Sequence, residues 1–231
     1  MKYENIVEAI FIKRPNRFIS HCLVDGAEVI AHVKNTGRCG ELLIEGVTVY
    51  LEYTPSPLRK TDYSLIAVVK GNRLINMDSQ APNKVAIDGL KSGMIELPNV
   101  TDEISLIRQE YRYKSSRFDL YVETEKEKVL IEVKGVTLEA DGVVMFPDAP
   151  TARGKKHVNE LIEASNDGYL TYIIFIVQMA DVAYFTPNCE RDPKFSESLR
   201  KAVAAGVEIL AYDCYVAPDE IRVNKSVRVE L

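Results

Sequence analysis

The chain has 231 residues, 46% hydrophobic and 27% charged, with a formal net charge of −5. That is the balance of a folded globular protein of one large or two small domains, and it excludes a disordered chain. Net acidity also excludes a molecule coated in basic surface for nucleic acid, though not a local basic patch, because the first eighty residues are nearly balanced and the acidity sits in the remainder.

The longest apolar run, Tyr169 to Val177, falls short of the ~20 residues that cross a bilayer and reads as a buried strand. Glu4, Glu8 and Pro15 interrupt any signal-peptide pattern. A cytoplasmic location with no membrane partner is therefore expected. Cys22, Cys39, Cys189 and Cys214 form no CxxC pair and are expected to be small buried hydrophobes.

In chain order, ENIVEAIFI, RFISHCLV, AEVIAHV and VTVYLEY read as short strands, with a turn at Asp25-Gly26 and a loop at residues 35–40. A polar loop, one more strand and a turn follow. This is the pattern of a small β-barrel of the OB type, or another small β fold, over 1–80. Basic residues there, Lys13, Arg14, Arg17, Lys34, Arg38, Arg59, Lys60 and Arg73, interleave with Phe11, Phe18, Tyr53 and Tyr63. Cations for phosphates and rings for stacking are what a nucleic-acid surface needs, although some of these rings must be core.

A short helix between Pro82 and Gly89 marks the expected junction to an α/β domain over 81–231. A helix is expected near 101–110 with Thr101 as N-cap, then a strand at EYRYK. SRFDLYVETEKEKVLIEVKG forms a hairpin. Residues 151–168 form a helix capped by Thr151, with Val158, Leu161 and Ile162 as its apolar stripe and Gly168 as its stop. Strand 169–178, a helix from Pro193 to Ala205, strand VEILAY and a final strand SVRVEL complete the pattern.

The hairpin carries the chemistry. Side chains alternate along a strand, so Glu132 and Lys134 share one face, and a symmetric turn pairing Val122 with Val129 sets Asp119 opposite Glu132. Two facing carboxylates repel unless a positive charge lies between them. Mg²⁺ suits Asp119, Glu132 and the Val133 carbonyl, with Glu110 a further candidate carboxylate. Lys134 can orient a metal-bound water or stabilise charge on a phosphate under attack. The D-x12-E-x-K spacing is that of metal-dependent phosphodiester cleavage, with Asp119, Glu132 and Lys134 as catalytic candidates. A salt bridge between Asp119 and Lys134 on a wet sheet face would give the same spacing.

On the helix that follows, Arg153, Lys156, His157 and Glu160 are expected on the side away from the apolar stripe. With Arg117 of the hairpin, Arg153, Lys156 and His157 join Arg17, Lys34, Arg38, Arg59 and Lys60 as candidate nucleic-acid contacts.

Three stretches carry a resemblance: AHVKNTGRCGELL at 31–43, SRFDLYV with IEVKGVTL at 116–138, and FPDAPTARGKKHVNELI at 146–162. With them the chain resembles the sugar fermentation stimulation protein family over nearly its whole length. The resemblance implies an N-terminal OB-like barrel followed by a C-terminal α/β domain of the PD-(D/E)xK restriction-endonuclease-like fold. It also implies DNA as partner and a regulatory effect on sugar, notably maltose, metabolism. The nuclease signature falls on Asp119, Glu132 and Lys134, with Mg²⁺ or Mn²⁺ as cofactor; homodimerisation is left open. Phe118 stands where the signature has proline, and Gly135 and Ala152 stand where the family has a small polar residue or an acid. An idle nuclease-like site in a DNA-binding regulator is the alternative.

Overall fold

The computed structural model describes residues 1–231 apart from Thr36, so that one residue of the 35–40 loop lies outside the described residues. Six strands, β1 (Ile6–Lys13), β2 (Ile19–Val24), β3 (Ala27–Val33), β4 (Thr48–Tyr53), β5 (Tyr63–Lys70) and β6 (Arg73–Asn76), form the first sheet in the order β3-β2-β1-β4-β5-β6. A parallel pairing of β3 with β5 closes five of them into a barrel. Closure follows from the alternation: Ala9 and Phe11, Cys22, Ala31 and Val33, Val49 and Leu51 all turn inward and are buried. At the β2–β3 turn Asp25 and Gly26 both take positive φ, 49° and 82°, the geometry that lets two residues reverse a twisted hairpin.

Helix α1 (Ala81–Lys91) opens the second half, with proline in its first turn. A six-stranded sheet follows in the order β15-β14-β12-β9-β8-β7, built from β7 (Leu106–Tyr113), β8 (Ser116–Glu123), β9 (Lys128–Val136), β12 (Leu170–Val177), β14 (Glu208–Ala217) and β15 (Glu220–Ser226). Its centre is parallel, β9 to β12 to β14, and its flanks are antiparallel. A small sheet of β10 (Leu138–Ala140), β11 (Val143–Phe146) and β13 (Tyr184–Pro187) packs alongside.

Both faces of the central sheet are covered. Val129, Ile131, Val133 and Ile174 share a core with α1, while Leu130, Ile173 and Phe175 share one with α2 (Ala152–Asn166) and α3 (Pro193–Ala204). Burial on both sides is why β12 is apolar from Ile173 to Val177; each such Ile or Phe contributes about 1.5–3 kcal/mol. The sequence-derived OB-like barrel and α/β domain are thus both present. No helix is long and apolar enough to cross a membrane, among the described residues.

Several expected elements differ. Residues 101–105 are not helical and β7 begins at Leu106; Thr101 donates its hydroxyl to Glu127 Oε1 at 3.2 Å instead of capping a helix. Backbone pairing of β7 with β8 replaces the helix expected there. The closing SVRVEL is mostly outside the sheet, with one bridge from Val229 to Phe185. Cys22, Cys39 and Cys214 are buried as expected, but Cys189 is exposed ahead of α3.

The two halves meet across a buried polar seam. Gln178 donates its amide to Asn76 Oδ1 (2.9 Å), Asn76 O (3.2 Å) and Asp78 O (3.0 Å). Lys34 reaches Asp78 at 3.0 Å, and Lys70 reaches Glu139 at 2.7 Å. The Gln178 and Lys70 contacts hold the barrel against the segments that leave β12 and β9.

Candidate active site

The β8–β9 ladder has the register that a symmetric turn dictates, Val122 opposite Val129 and Leu120 opposite Ile131. It stops there. The next bonded step would pair Phe118 with Val133, but the Asp119 side chain takes that place: Oδ2 accepts from the Val133 N–H at 2.8 Å. Asp119 and Glu132 are therefore not a ladder pair; they flank the point where two strands separate. A strand residue turns its N–H and C=O to the same side, so the Val133 carbonyl faces the same gap.

Asn83 on α1 fixes the other Asp119 oxygen, donating to Oδ1 at 3.1 Å. Burial pushes the Asp119 carboxyl above its usual range, and the negative charge of Glu132 adds to the shift. Glu132 is 3% exposed. Its Oε1 accepts from Lys134 Nζ and lies 2.6 Å from His157 Nδ1. Burial alone would raise the Glu132 carboxyl, but the His157 hydrogen bond and the Lys134 ammonium outweigh it and hold the group below its usual range. Glu132 Oε2 is buried with no hydrogen-bond partner. An ionised carboxylate with one orphaned buried oxygen is costly unless a cation or donor reaches it.

His157 is the residue whose role differs most from expectation. It is 6% exposed and buried against the sheet, with its ring edge-on to Phe118, so it is not on the solvated face assigned to it as a nucleic-acid contact. Glu160 is buried too, accepting from Ser115 Oγ at 3.0 Å and leaving Oε2 unpartnered. The signal was present: Gly154, His157, Leu161 and Ala164 recur at helical spacing and all face inward. Phe118, in the place of the signature proline, is fully buried and packs on His157.

The other candidates are scattered around this centre. Glu110, with φ 56°, sits opposite Asp119 in the β7–β8 register, but its side chain is exposed and bonded to Arg117 Nε at 2.7 Å. Arg153 and Lys156 are exposed on α2, as are Arg17, Arg38 and Lys60 on the barrel. Lys34 is committed to Asp78, and Arg59 donates to Thr54 and to Ser64 Oγ at 2.6 Å, so both hold the barrel together. Phe11 is core, whereas Phe18 and Tyr53 are exposed, Tyr53 against Tyr63 at 5.0 Å. Gly135 admits no side chain: a Cβ there would lie 2.6 Å from Gln178 Oε1 and 2.7 Å from Pro82 Cγ.

Among the described residues no three His, Cys, Asp or Glu side chains converge as a ready metal cage. The donor set present is two carboxylates, one of them with an orphaned oxygen, and a carbonyl. It fits a hard divalent ion that keeps several waters rather than one caged by protein.

Comparison with known proteins places the molecule. The Sugar fermentation stimulation protein RE domain matches residues 80–220, and the SfsA N-terminal OB domain matches 12–77. The chain is 53% identical to the sugar fermentation stimulation protein homolog of Ruminiclostridium cellulolyticum and 51% identical to that of Clostridium beijerinckii, over the full length of each. The solved structure of Pyrococcus furiosus SfsA in complex with Ca²⁺ superposes with a TM-score of 0.88 at 30% identity, covering 100% of this chain and 98% of that one. The chain belongs to the sugar fermentation stimulation protein family.

Proposed function

We propose that the protein binds DNA and hydrolyses phosphodiester bonds with a divalent cation, Mg²⁺ or Mn²⁺, held by Asp119, Glu132 and the Val133 carbonyl. The observation that carries this is the pair of buried carboxylates at the strand divergence, one pushed up in pKa by burial and its neighbour's charge, the other with an orphaned oxygen. Neither condition serves the fold. The Ca²⁺ in the Pyrococcus furiosus relative supports an oxygen-ligand cation site in this scaffold.

A divalent cation there supplies Lewis acidity to a phosphodiester and acidity to a bound water. The chain's own residues do the rest. Asn83 and the Val133 N–H fix the Asp119 carboxylate, while His157 fixes Glu132 through Oε1 and leaves Oε2 free. Lys134, half-buried beside Glu132, offers its ammonium to a phosphate oxygen and stabilises the charge that builds there. Exposed Arg17, Arg38, Lys60, Arg153 and Lys156 supply the cations that position a backbone.

A second reading has one observation in its favour: both Asp119 oxygens and Glu132 Oε1 already have protein donors, as in an idle site kept by a DNA-binding regulator of sugar metabolism. A cleavage screen over structured DNA and RNA with Mg²⁺ and Mn²⁺, beside salt-dependent binding, separates the two. Cation-dependent cleavage lost in Asp119→Asn supports hydrolysis. Steeply salt-dependent DNA binding without cleavage supports the regulator.

A further inference from the structure

A cleft of about 210 Å³ opens between the barrel loop at Asn35 and Gly37, the start of α1, and the segment that leaves β9. Two of its wall residues are chain neighbours of the carboxylate centre. Its wall residue Gly135 follows Lys134, and its wall residue Pro82 precedes Asn83, the partner of Asp119. Both walls are pinched: a Cβ on Gly37 would lie 2.8 Å from Asp148 Oδ2, as a Cβ on Gly135 would lie 2.6 Å from Gln178 Oε1.

The chemistry of the lining selects the occupant. Among the described residues no Lys or Arg lines the cleft, so it does not suit a phosphate. It presents acceptors, the Asp148 carboxylate and Gln178 Oε1, beside the hydroxyls of Ser79 and Thr137 and the ring of Phe146. The Gln178 nitrogen is already spent on Asn76 and Asp78, which fixes the amide with its oxygen toward Gly135. Acceptors beside apolar surface suit the exocyclic amine and flat face of a nucleobase. The volume is below the roughly 300–1,000 Å³ of drug-sized sites, room for one base and not for a base pair.

We infer that this cleft takes a single unpaired nucleobase of a strand whose phosphate lies at Lys134, which makes single strands, frayed ends and flipped nucleotides the substrate class. The inference rests on the phosphodiester reading above. A base held in a duplex stack cannot enter so narrow a cleft, whereas an unpaired or extruded one can.

The test uses a single-stranded oligonucleotide carrying one 2-aminopurine, and the same strand with an abasic position there, titrated into the full chain without divalent cation. Expected are a change in 2-aminopurine emission and at least about tenfold weaker binding of the abasic strand, within the range of base-stacking losses. Filling the cleft from opposite walls by Thr137→Phe and Ser79→Phe reduces binding of the 2-aminopurine strand to the abasic level; either variant that folds suffices. Equal affinity for the two strands, or affinity unchanged in both variants, overturns the inference. Cleavage is then assayed separately with Mg²⁺ and Mn²⁺. Base-dependent binding without cleavage defeats the hydrolysis reading and leaves the cleft standing; equal binding and cleavage of both strands defeats the cleft and leaves hydrolysis standing.

Discussion

Two clusters of buried polar groups lie within a few residues of each other and are built to opposite standards. At the seam, Gln178, Asn76, Asp78 and Lys34 answer one another: Asn76 accepts from Gln178, donates to the Tyr3 hydroxyl at 3.0 Å and accepts from the Asp78 N–H, and Asp78 receives Lys34 and the Gln80 N–H. No side-chain atom of these four is both buried and unpartnered, among the described residues. At the strand divergence, Glu132 keeps an orphaned oxygen and Asp119 holds a carboxyl whose ionised form is disfavoured. A fully satisfied network rigidifies; a partly satisfied one costs stability and persists where something outside the chain completes it.

Substitutions break that contrast in a definite order. The largest effect is on chemistry: Asp119→Asn or Glu132→Gln lowers cation-dependent cleavage by about 10³-fold or more, read as kcat/KM on a single-stranded substrate. Asn76→Ala comes next and does the reverse. It strips donors and acceptors from a satisfied network and costs about 2–3 kcal/mol in urea unfolding, while cation affinity stays unchanged.

His157 belongs to the site although it lies on a core helix face, and its variants sharpen the boundary. His157→Phe lowers cation affinity by about 10–100-fold, as loss of a hydrogen bond that orients a ligand does. His157→Asn, which keeps a donor near the Nδ1 position, recovers part of it. Calorimetric titration with Mn²⁺ reads both.

The smallest effect is on stability and depends on pH. The Asp119 folded pKa is raised, so its contribution is fully present below the unfolded carboxylate pKa and lost as pH rises through the folded one. Asp119→Asn should therefore stabilise the cation-free protein at pH 7, by about 1 kcal/mol, and the gain should shrink as pH falls into the carboxylate range. Glu132 has the opposite sign: its lowered folded pKa gives stability above the ordinary carboxylate range that is lost on acidification. Melting curves of the two variants across pH 3–7, a window spanning the roughly 4 of ordinary carboxyls, should diverge in opposite directions.

What the sequence revealed follows the same division. The hairpin register was legible because Val122 and Val129 leave one symmetric pairing that buries the apolar face, and α2 was legible because Thr151 caps it, accepting from the Gly154 N–H at 2.9 Å. Where the ladder would stop was not legible, because a side chain replacing a backbone partner leaves no periodicity. A capping residue at Thr101 points to a helix near 101–110, but pairing with the next strand in the chain, β8, decides the outcome. Polarity alone puts His157 and Glu160 in solvent; their partners, Glu132 and Ser115, lie 25 and 45 residues away and meet them only in the fold. The strands β10 and β11, of 3 and 4 residues, are too short to show a period, although Asp141 and Gly142, both at positive φ, mark their turn.

The central claim is that Asp119 and Glu132 share one divalent cation. Calorimetric titration of Mn²⁺ into the wild-type chain, Asp119→Asn and Glu132→Gln addresses it without reference to any substrate. One binding event in the wild type, weakened by at least about tenfold in each variant, is the predicted result. No binding in the wild type, or binding that neither substitution alters, would contradict it.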